Sequence, residues 1–395
     1  MKPRLAILTS HPIQYNAPAF RSLARNPDLD VHVFYGWEGP GKTIDPEFGR
    51  AVEWDIPLLD GYEYSFVKNH ARNPGSHHFR GIDSPRVVAE IRAWRPDVLL
   101  VYGWAFASHI RVLLAFHGNV PILFRGDSTR VDRGGALRGT TRRIFLGWVF
   151  RHADVALYTG SLNRDYFLAH GMSEDQLEWA PHAVDNDRFS ADAESREVEA
   201  KAWRAKLGIA TGETVFLLPA KLIPIKDPST LLDAFMEMRR DAPDRGAHLV
   251  FAGEGELLNS LRAASSGRSD VHFLGFQNQS NMPAIYRLAD VVVLASLSET
   301  WGLVVNEGMA CGRPAIVSDG VACAADLIKP GVTGFVFRRS DAGHLKRVMS
   351  QFVEDPGRAA AMGGEAEKLI GAWTIDAYTS VVARVATTIS RRIGR

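Results

Sequence analysis

Residues 290–307 read Asp290-Val291-Val292-Val293-Leu294-Ala295-Ser296-Leu297-Ser298-Glu299-Thr300-Trp301-Gly302-Leu303-Val304-Val305-Asn306-Glu307. An apolar, branched run without polar alternation is what a strand covered on both faces of a parallel sheet requires. The run ends in a polar turn, which delivers Glu299 to the strand's carboxyl end, the edge at which open α/β sheets take ligands. From Gly302 onward, Leu303, Asn306, Glu307 and Ala310 recur at helical spacing, so a helix begins there. Its first amides, around Gly302, Leu303 and Val304, have no partner within the helix and suit a diphosphate.

The same alternation extends in both directions. Upstream, Leu5 to Thr9, Val31 to Tyr35, Val98 to Tyr102, Ile122 to Phe124 and Val155 to Tyr158 read as buried strands. Between them, Ala17 to Arg25, Ser84 to Trp94, Ser108 to His117 and Leu137 to His152 carry the three-to-four spacing of crossover helices. A second series has strands near Val215 to Pro219, Leu249 to Ala252, Val271 to Leu274, Val291 to Ala295, Ala315 to Val317 and Gly334 to Phe337. From Pro181 to Glu199 the pattern lapses into Pro, Asp, Asn, Arg and Ser, as a connection between domains would. A chain of 395 residues fits two domains. The expectation is an α/β protein with doubly wound domains at 1–186 and 187–374, facing across a central cleft, and a last helix (375–395) that returns to the first.

Glu307 follows Glu299 by eight positions, so both carboxylates can serve one elongated ligand, one on a ribose diol and the other on a hexose diol. A solvated helix face is the simpler account of the spacing alone; the strand before the pair and the Gly302 turn between favour the site. Val215 to Pro228 places Lys221 and Lys226 in a proline-rich turn after a strand, where two ammonium groups neutralise a diphosphate.

These motifs resemble the retaining family 4 glycosyltransferases of the GT-B fold, with two Rossmann-like domains and a signature of two glutamates separated by seven residues. Phe251-Ala252-Gly253-Glu254-Gly255-Glu256, Val271-His272-Phe273-Leu274-Gly275-Phe276, Pro314 to Ser318 and Gly331 to Phe335 resemble the family's other strands and turns. The resemblance implies that Glu299 contacts the donor sugar, Glu307 holds the ribose, Lys221 and Lys226 bind the diphosphate, and Phe276 to Asn278 line the base pocket. It also implies retention of configuration. The family's usual arginine is Lys221 here, which exchanges a bidentate fork for a point charge. Thr300 stands where a glycine commonly follows the first glutamate, Gly308 where an alanine follows the second, and the glycine-rich loop after the first strand is missing. Ser10-His11-Pro12-Ile13-Gln14-Tyr15-Asn16 replaces that loop and resembles a subgroup of bacterial polysaccharide and surface-glycan enzymes, which puts His11, Gln14 and Tyr15 toward the sugar or acceptor. Arg125 and Asp127 end the strand Ile122 to Phe124, where the family often carries a histidine beside the sugar. Arg125 is expected to face the sugar or acceptor; Asp127 reads either as a catalytic or positioning group or as a helix cap.

Other signals exclude more than they assign. Lys plus Arg at 46 against Asp plus Glu at 45 leaves a formal net charge of +1, so no nucleic-acid partner is expected. Cys311 and Cys323 are too few for a disulfide framework, and the apolar run after Arg4 is too short for a leader or span; a cytoplasmic protein is expected. Asp28-Leu29-Asp30 and Asp185-Asn186-Asp187 lie in a turn and a linker, so no metal is expected, and no cofactor beyond the nucleoside diphosphate sugar as co-substrate. Gly253-Glu254-Gly255 lacks the third glycine of a dinucleotide fingerprint. Arg130, Arg133, Arg138, Arg142, Arg143 and Arg151 surround Ile144, Phe145, Leu146, Trp148, Val149 and Phe150. A crossover helix with a solvated basic face explains that mix; peripheral contact with the inner membrane surface is the alternative. The expected activity is sugar transfer to the hydroxyl of a glycan, glycolipid or small-molecule acceptor. A nucleotide-sugar epimerase and a non-catalytic two-lobed binding protein are the rival readings.

Overall fold

The structure, a computed structural model, describes residues 2–39, 44–45, 50–51, 53–129 and 136–393. It divides into two compact units, one of Met1–Lys42, Ile56–His182 and Ile375–Arg395, the other of Thr43–Asp55 and Ala183–Thr374. The chain begins with β1 (Arg4–Thr9), α1 (Ala17–Arg25), β2 (Asp30–Tyr35), β3 (Ile44–Asp45), β4 (Arg50–Ala51) and β5 (Glu63–Phe66). There follow α2 (Val87–Trp94), β6 (Val98–Tyr102), α3 (Ala107–Phe116), β7 (Ile122–Arg125), α4 (Ala136–Phe150), β8 (Val155–Tyr158), α5 (Ser161–Ala169) and β9 (Leu177–Trp179). The second series opens with α6 (Asn186–Ser190), α7 (Ala193–Lys206), β10 (Thr214–Leu218), α8 (Pro228–Asp241), β11 (Ala247–Phe251), α9 (Leu258–Ala264) and β12 (Val271–Phe273). It continues through α10 (Met282–Leu288), β13 (Val291–Leu294), α11 (Leu303–Ala310), β14 (Ala315–Ser318), α12 (Ala324–Leu327) and β15 (Gly334–Phe337). Helices α13 (Ala342–Glu354), α14 (Gly357–Ile370) and α15 (Ile375–Ile393) end the chain.

In the first unit β5-β2-β1-β6-β7-β8-β9 form one parallel sheet. Alternate residues of β1 serve opposite faces: Leu5 and Ile7 pack with Phe20, Val33 and Leu100, while Ala6 and Leu8 pack with Val101, Phe116 and Phe124. The first of these layers also takes Tyr378, Val382 and Ala386 of α15, and Ser22 Oγ lies 3.1 Å from Thr379 Oγ1. In the second unit the parallel order is β12-β11-β10-β13-β14-β15, and every residue of β10, β11 and β13 is buried.

Both orders reverse once. The first sheet grows from β1 through β2 to β5 and then restarts on the other side of β1 with β6; the second grows from β10 to β12 and restarts beside β10 with β13. At such a switch point the crossover helices diverge to opposite faces and leave a crevice at the strands' carboxyl ends. The loops after β1 and β6, and those after β10 and β13, therefore border the ligand edges of their sheets.

Part of the expected linker is structured. Pro181 to Glu199 carries α6 and the start of α7, whose Arg204 pairs with Asp290 at 2.7 Å and donates to Leu288 O at 2.8 Å. The strands β5 and β9 escaped the sequence pattern because both are short edge strands with alternating or polar residues. Among the described residues no helix is long and apolar enough to cross a membrane.

Candidate functional site

In the second unit the loop after β10 turns through a single 3₁₀ turn at Pro224–Lys226. This turn carries the Lys226 ammonium onto the Glu299 carboxylate, with which it forms an ion pair. The two side chains are 22% and 19% exposed, so the pair is largely withdrawn from water yet still reachable. Ser296 Oγ lies 3.4 Å from the same carboxylate. The Glu299 backbone is fixed by Glu299 N→Gly320 O at 2.9 Å and Ala322 N→Glu299 O at 3.1 Å. Lys226 follows β10 and Glu299 follows β13, so the pair spans the switch point of this sheet.

The loop that holds Lys221 is seated by the Gly253-Glu254-Gly255 turn. A Cβ at Gly253 would stand 2.0 Å from Ala220 O and one at Gly255 2.4 Å from Leu222 O, so main chain must pack directly on main chain. The two glycines thus support the lysine loop. Leu222 N→Glu254 O and Leu257 N→Leu222 O, both 2.9 Å, complete the seat.

Gly302 caps α11 at φ 102°, the left-handed region that glycine enters without steric cost. The amides of Leu303 and Val304 have no acceptor inside the helix. One turn on, Glu307 is 1% exposed and its Oε2 accepts a hydrogen bond from Tyr286 Oη at 2.5 Å. Gly308, where an alanine is usual, has a physical reason: a Cβ there would lie 2.6 Å from Val292 Cγ2, so α11 sits closer to β13 than an alanine permits. Phe276 and Asn278 follow β12, two strands from β10, which places them about 10 Å along the carboxyl edge from the lysine loop. Asn278 does not present its amide to a ligand: its Nδ2 donates to Glu53 O at 2.7 Å, and its Oδ1 accepts from Gln279 N at 2.9 Å and Asp55 N at 3.4 Å.

In the first unit His11 follows β1, at the switch point. Its Nδ1 lies 3.0 Å from Ser10 Oγ and its ring 5.4 Å from that of Trp37. Burial, with His77 nearby, lowers its pKa to about 4, so the ring is neutral at neutral pH. Gln14 and Tyr15 lie half-buried in the same loop, one turn before α1. Gly103 and Trp104, after β6, border the same crevice, which the sequence pattern did not indicate.

Arg125 departs from expectation. It is 6% exposed and its guanidinium donates to Leu157 O at 3.2 Å, Pro181 O at 3.0 Å and Ala180 O, with Cζ 4.8 Å from the Tyr378 ring centroid. Its donors are directed at main-chain carbonyls, so it holds the ends of β8 and β9 in place and does not face a sugar. Asp127 is half-buried in the loop after β7 and stands nine positions before the first residue of α4, so it is no cap of that helix. Asn163 Nδ2→Ser128 O at 2.7 Å anchors this loop. Sequence reading missed His182, just after Pro181 in the stretch taken for linker. Its pKa falls to about 4 through burial and the Arg125 charge, partly opposed by Asp127. The imidazole is therefore neutral at neutral pH, with the Asp127 carboxylate and the Arg125 guanidinium both near enough to act on it.

Among the described residues no three His, Cys, Asp or Glu side chains gather as a metal site. Asp185 instead caps α6, accepting from Arg188 N at 3.2 Å, and Asp30 pairs with Arg4 at 3.3 Å.

Residues 199–369 match the model of the family described as glycosyl transferases group 1. The chain is 29% identical over 341 residues to a GDP-mannose-dependent alpha-(1-6)-phosphatidylinositol monomannoside mannosyltransferase of Mycolicibacterium smegmatis, an alignment covering 77% of this chain and 87% of the relative. It is 26% identical over 270 residues to a D-inositol 3-phosphate glycosyltransferase of Nocardia farcinica, covering 66% of this chain and 58% of that protein. The fold is similar to that of Anabaena HepE in complex with UDP, with TM-score 0.74 at 17% identity over 98% of this chain and 100% of that one. Sucrose-phosphate synthase from Thermosynechococcus elongatus gives TM-score 0.73 at 18% identity, with 99% and 100% covered. With its two parallel α/β units, the chain has the GT-B architecture of two Rossmann-like domains, and its residues 199–369 are similar to the group 1 glycosyl transferases.

Proposed function

We propose that the chain moves a sugar from a nucleoside diphosphate donor to an acceptor hydroxyl, with retention of configuration and without a metal ion. The Lys226–Glu299 pair across the switch point of the second sheet carries this reading, because it sets a cation and a hydroxyl-accepting carboxylate at one ligand edge, close to the opening of α11. As the glycosidic bond breaks, negative charge grows on the leaving phosphate oxygens. Lys226, Lys221 and the Leu303 and Val304 amides stabilise it, and Glu299 orients the sugar hydroxyls. The departing phosphate oxygen takes the acceptor proton on the same face. In the first unit, His11, Gln14, Tyr15 and Asp127 contact the sugar or acceptor, with His182 as Asp127's neighbour. Glu307 holds the ribose and Phe276 meets the base.

The names of the relatives choose the first trial compounds: GDP-mannose and UDP-sugars as donors, D-inositol 3-phosphate and phosphatidylinositol monomannoside as acceptors. One donor is expected to raise the melting temperature and to be consumed in the presence of an acceptor, equally with and without EDTA, yielding a product whose anomeric configuration matches the donor. Conversion of the donor to its epimer without acceptor would establish an epimerase instead. Ligand-induced stabilisation without turnover would establish a binding protein.

Work at the cytoplasmic face of a membrane, on a lipid-borne acceptor, has support in α4. Ile144 (68% exposed), Phe145 (40%) and Trp148 (36%) share its surface with exposed Arg142 and Arg143, whereas Leu146, Val149 and Phe150 face the core. Arg130 and Arg133 lie outside the described residues, as does the side chain of Arg138. Exposed aromatic and basic groups together favour an anionic interface. The chain is expected to sediment with phosphatidylglycerol vesicles but not with phosphatidylcholine vesicles, and an Ile144→Ser, Trp148→Ser variant to lose most of that binding. Equal sedimentation of variant and parent would remove the membrane role.

A further inference from the structure

The stretch Thr43–Asp55 lies in sequence between strands of the first sheet, yet it belongs to the second unit. Its last residues, Glu53 to Asp55, are tied to the loop after β12. Asn278 Nδ2 donates to Glu53 O at 2.7 Å, Asp55 N donates to Asn278 Oδ1 at 3.4 Å, and Ser280 N donates to Asp55 Oδ1 at 3.1 Å. Ser280 Oγ donates to the same carboxylate. Between these anchors the half-buried Trp54 ring lies 6.2 Å from the ring of Phe276, tilted by 53°.

We infer that Trp54 is a wall of the nucleobase pocket and sets how strongly the donor's base is held; this rests on the donor-site reading above. The anchors fix the segment through both main chain and side chain on either side of the tryptophan, so the indole is held in one place. A partly exposed indole beside a second aromatic ring is not closed into the core of the unit, and two tilted rings at the edge of the sheet offer a planar ligand a face and an edge. The position is appropriate. From the lysine loop to Phe276 the edge runs past β11 to β12, so a diphosphate at Lys221 and Lys226 leaves its base to reach toward the β12 loop. The engagement of Asn278 by Glu53 and Asp55 removes the side chain that would otherwise read the base, and leaves recognition there to stacking.

The test is calorimetric titration of the whole chain with UDP, GDP and ADP, and with inorganic pyrophosphate as a probe lacking a base. Trp54→Ala is expected to weaken the preferred nucleoside diphosphate by roughly ten- to hundredfold, the loss typical of removing one aromatic platform from a base, and to leave pyrophosphate binding unchanged. Trp54→Phe should recover most of the affinity. Asp55→Ala, which releases the anchor on Ser280, should resemble Trp54→Ala. Affinity of Trp54→Ala within twofold of the parent, or equal loss for nucleoside diphosphate and pyrophosphate, overturns the inference. A parent chain that binds pyrophosphate but no nucleoside diphosphate overturns the donor-site reading itself, and that outcome is visible before any variant is made.

Discussion

Lys226→Ala is expected to lower kcat by about two to three orders of magnitude while the donor KM changes only a few-fold. Losing one fixed donor to a developing oxyanion has an effect of that order on turnover. The reason lies in when the charge is needed. On the proposed binding mode a diphosphate also meets Lys221 and the amides at the start of α11, so the ground state would have other contacts; the leaving phosphate gains negative charge only as the glycosidic bond breaks. In the structure the Lys226 ammonium is held by Glu299. Donor binding would exchange that partner for phosphate as the Glu299 carboxylate turns to the sugar hydroxyls. Removing the lysine alone therefore also leaves Glu299, at 19% exposure, without its cation. Lys226→Met combined with Glu299→Gln separates the effects: if the residues act as a unit, the double variant loses less than the product of the single losses. Steady-state kinetics with saturating acceptor measures the parent, Lys226→Ala, Lys226→Met, Glu299→Gln and the double variant. A kcat within threefold of the parent in Lys226→Ala would mean that this lysine does not serve the leaving group.

That ion pair also shows what the sequence could and could not disclose. Each half was legible, because fully buried parallel strands appear as continuous apolar runs and the polar residue that follows marks the ligand edge. The meeting of Lys226 with Glu299, 73 positions apart, depends on β10 and β13 being neighbours, and strand order has no periodic signature in the chain. Arg125 differs from expectation for a related reason: its place at the carboxyl end of β7 is legible, but β9 has no periodic signature, so the carbonyls of Ala180 and Pro181 that engage its guanidinium are out of view in the sequence. Helix α7 was hidden by composition. Only Ala200 among its residues is buried, and it is held largely through polar contacts such as Arg204 with Asp290 and Glu197 with Arg313. Apolar periodicity cannot reveal a helix fixed in that way. Trp54 lay hidden because nothing local marks a segment that leaves one unit to pack on another.

Glu307→Ala is expected to weaken donor binding by about a hundredfold and to lower the melting temperature, and the two effects have separate causes. A carboxylate accepting from a ribose hydroxyl makes a charge-assisted bond, and deleting it costs about 2–3 kcal/mol of binding. At 1% exposure the same carboxylate also receives the hydroxyl of the fully buried Tyr286. An alanine would strand that hydroxyl, at about 1–3 kcal/mol, and add the cost of a cavity. The alanine variant alone would therefore confuse a lost contact with a loosened α11. Glu307→Gln keeps the volume and an acceptor for Tyr286, so its melting temperature should stay near the parent's while donor affinity falls about tenfold through loss of the charge. Tyr286→Phe removes the orienting bond and keeps the charge, so it should weaken the donor less than Glu307→Gln does. Donor titrations and thermal melts of the three variants together decide: unchanged affinity in Glu307→Gln would make Glu307 a buried partner of Tyr286 alone, and the ribose would have to be held elsewhere along the edge of the sheet.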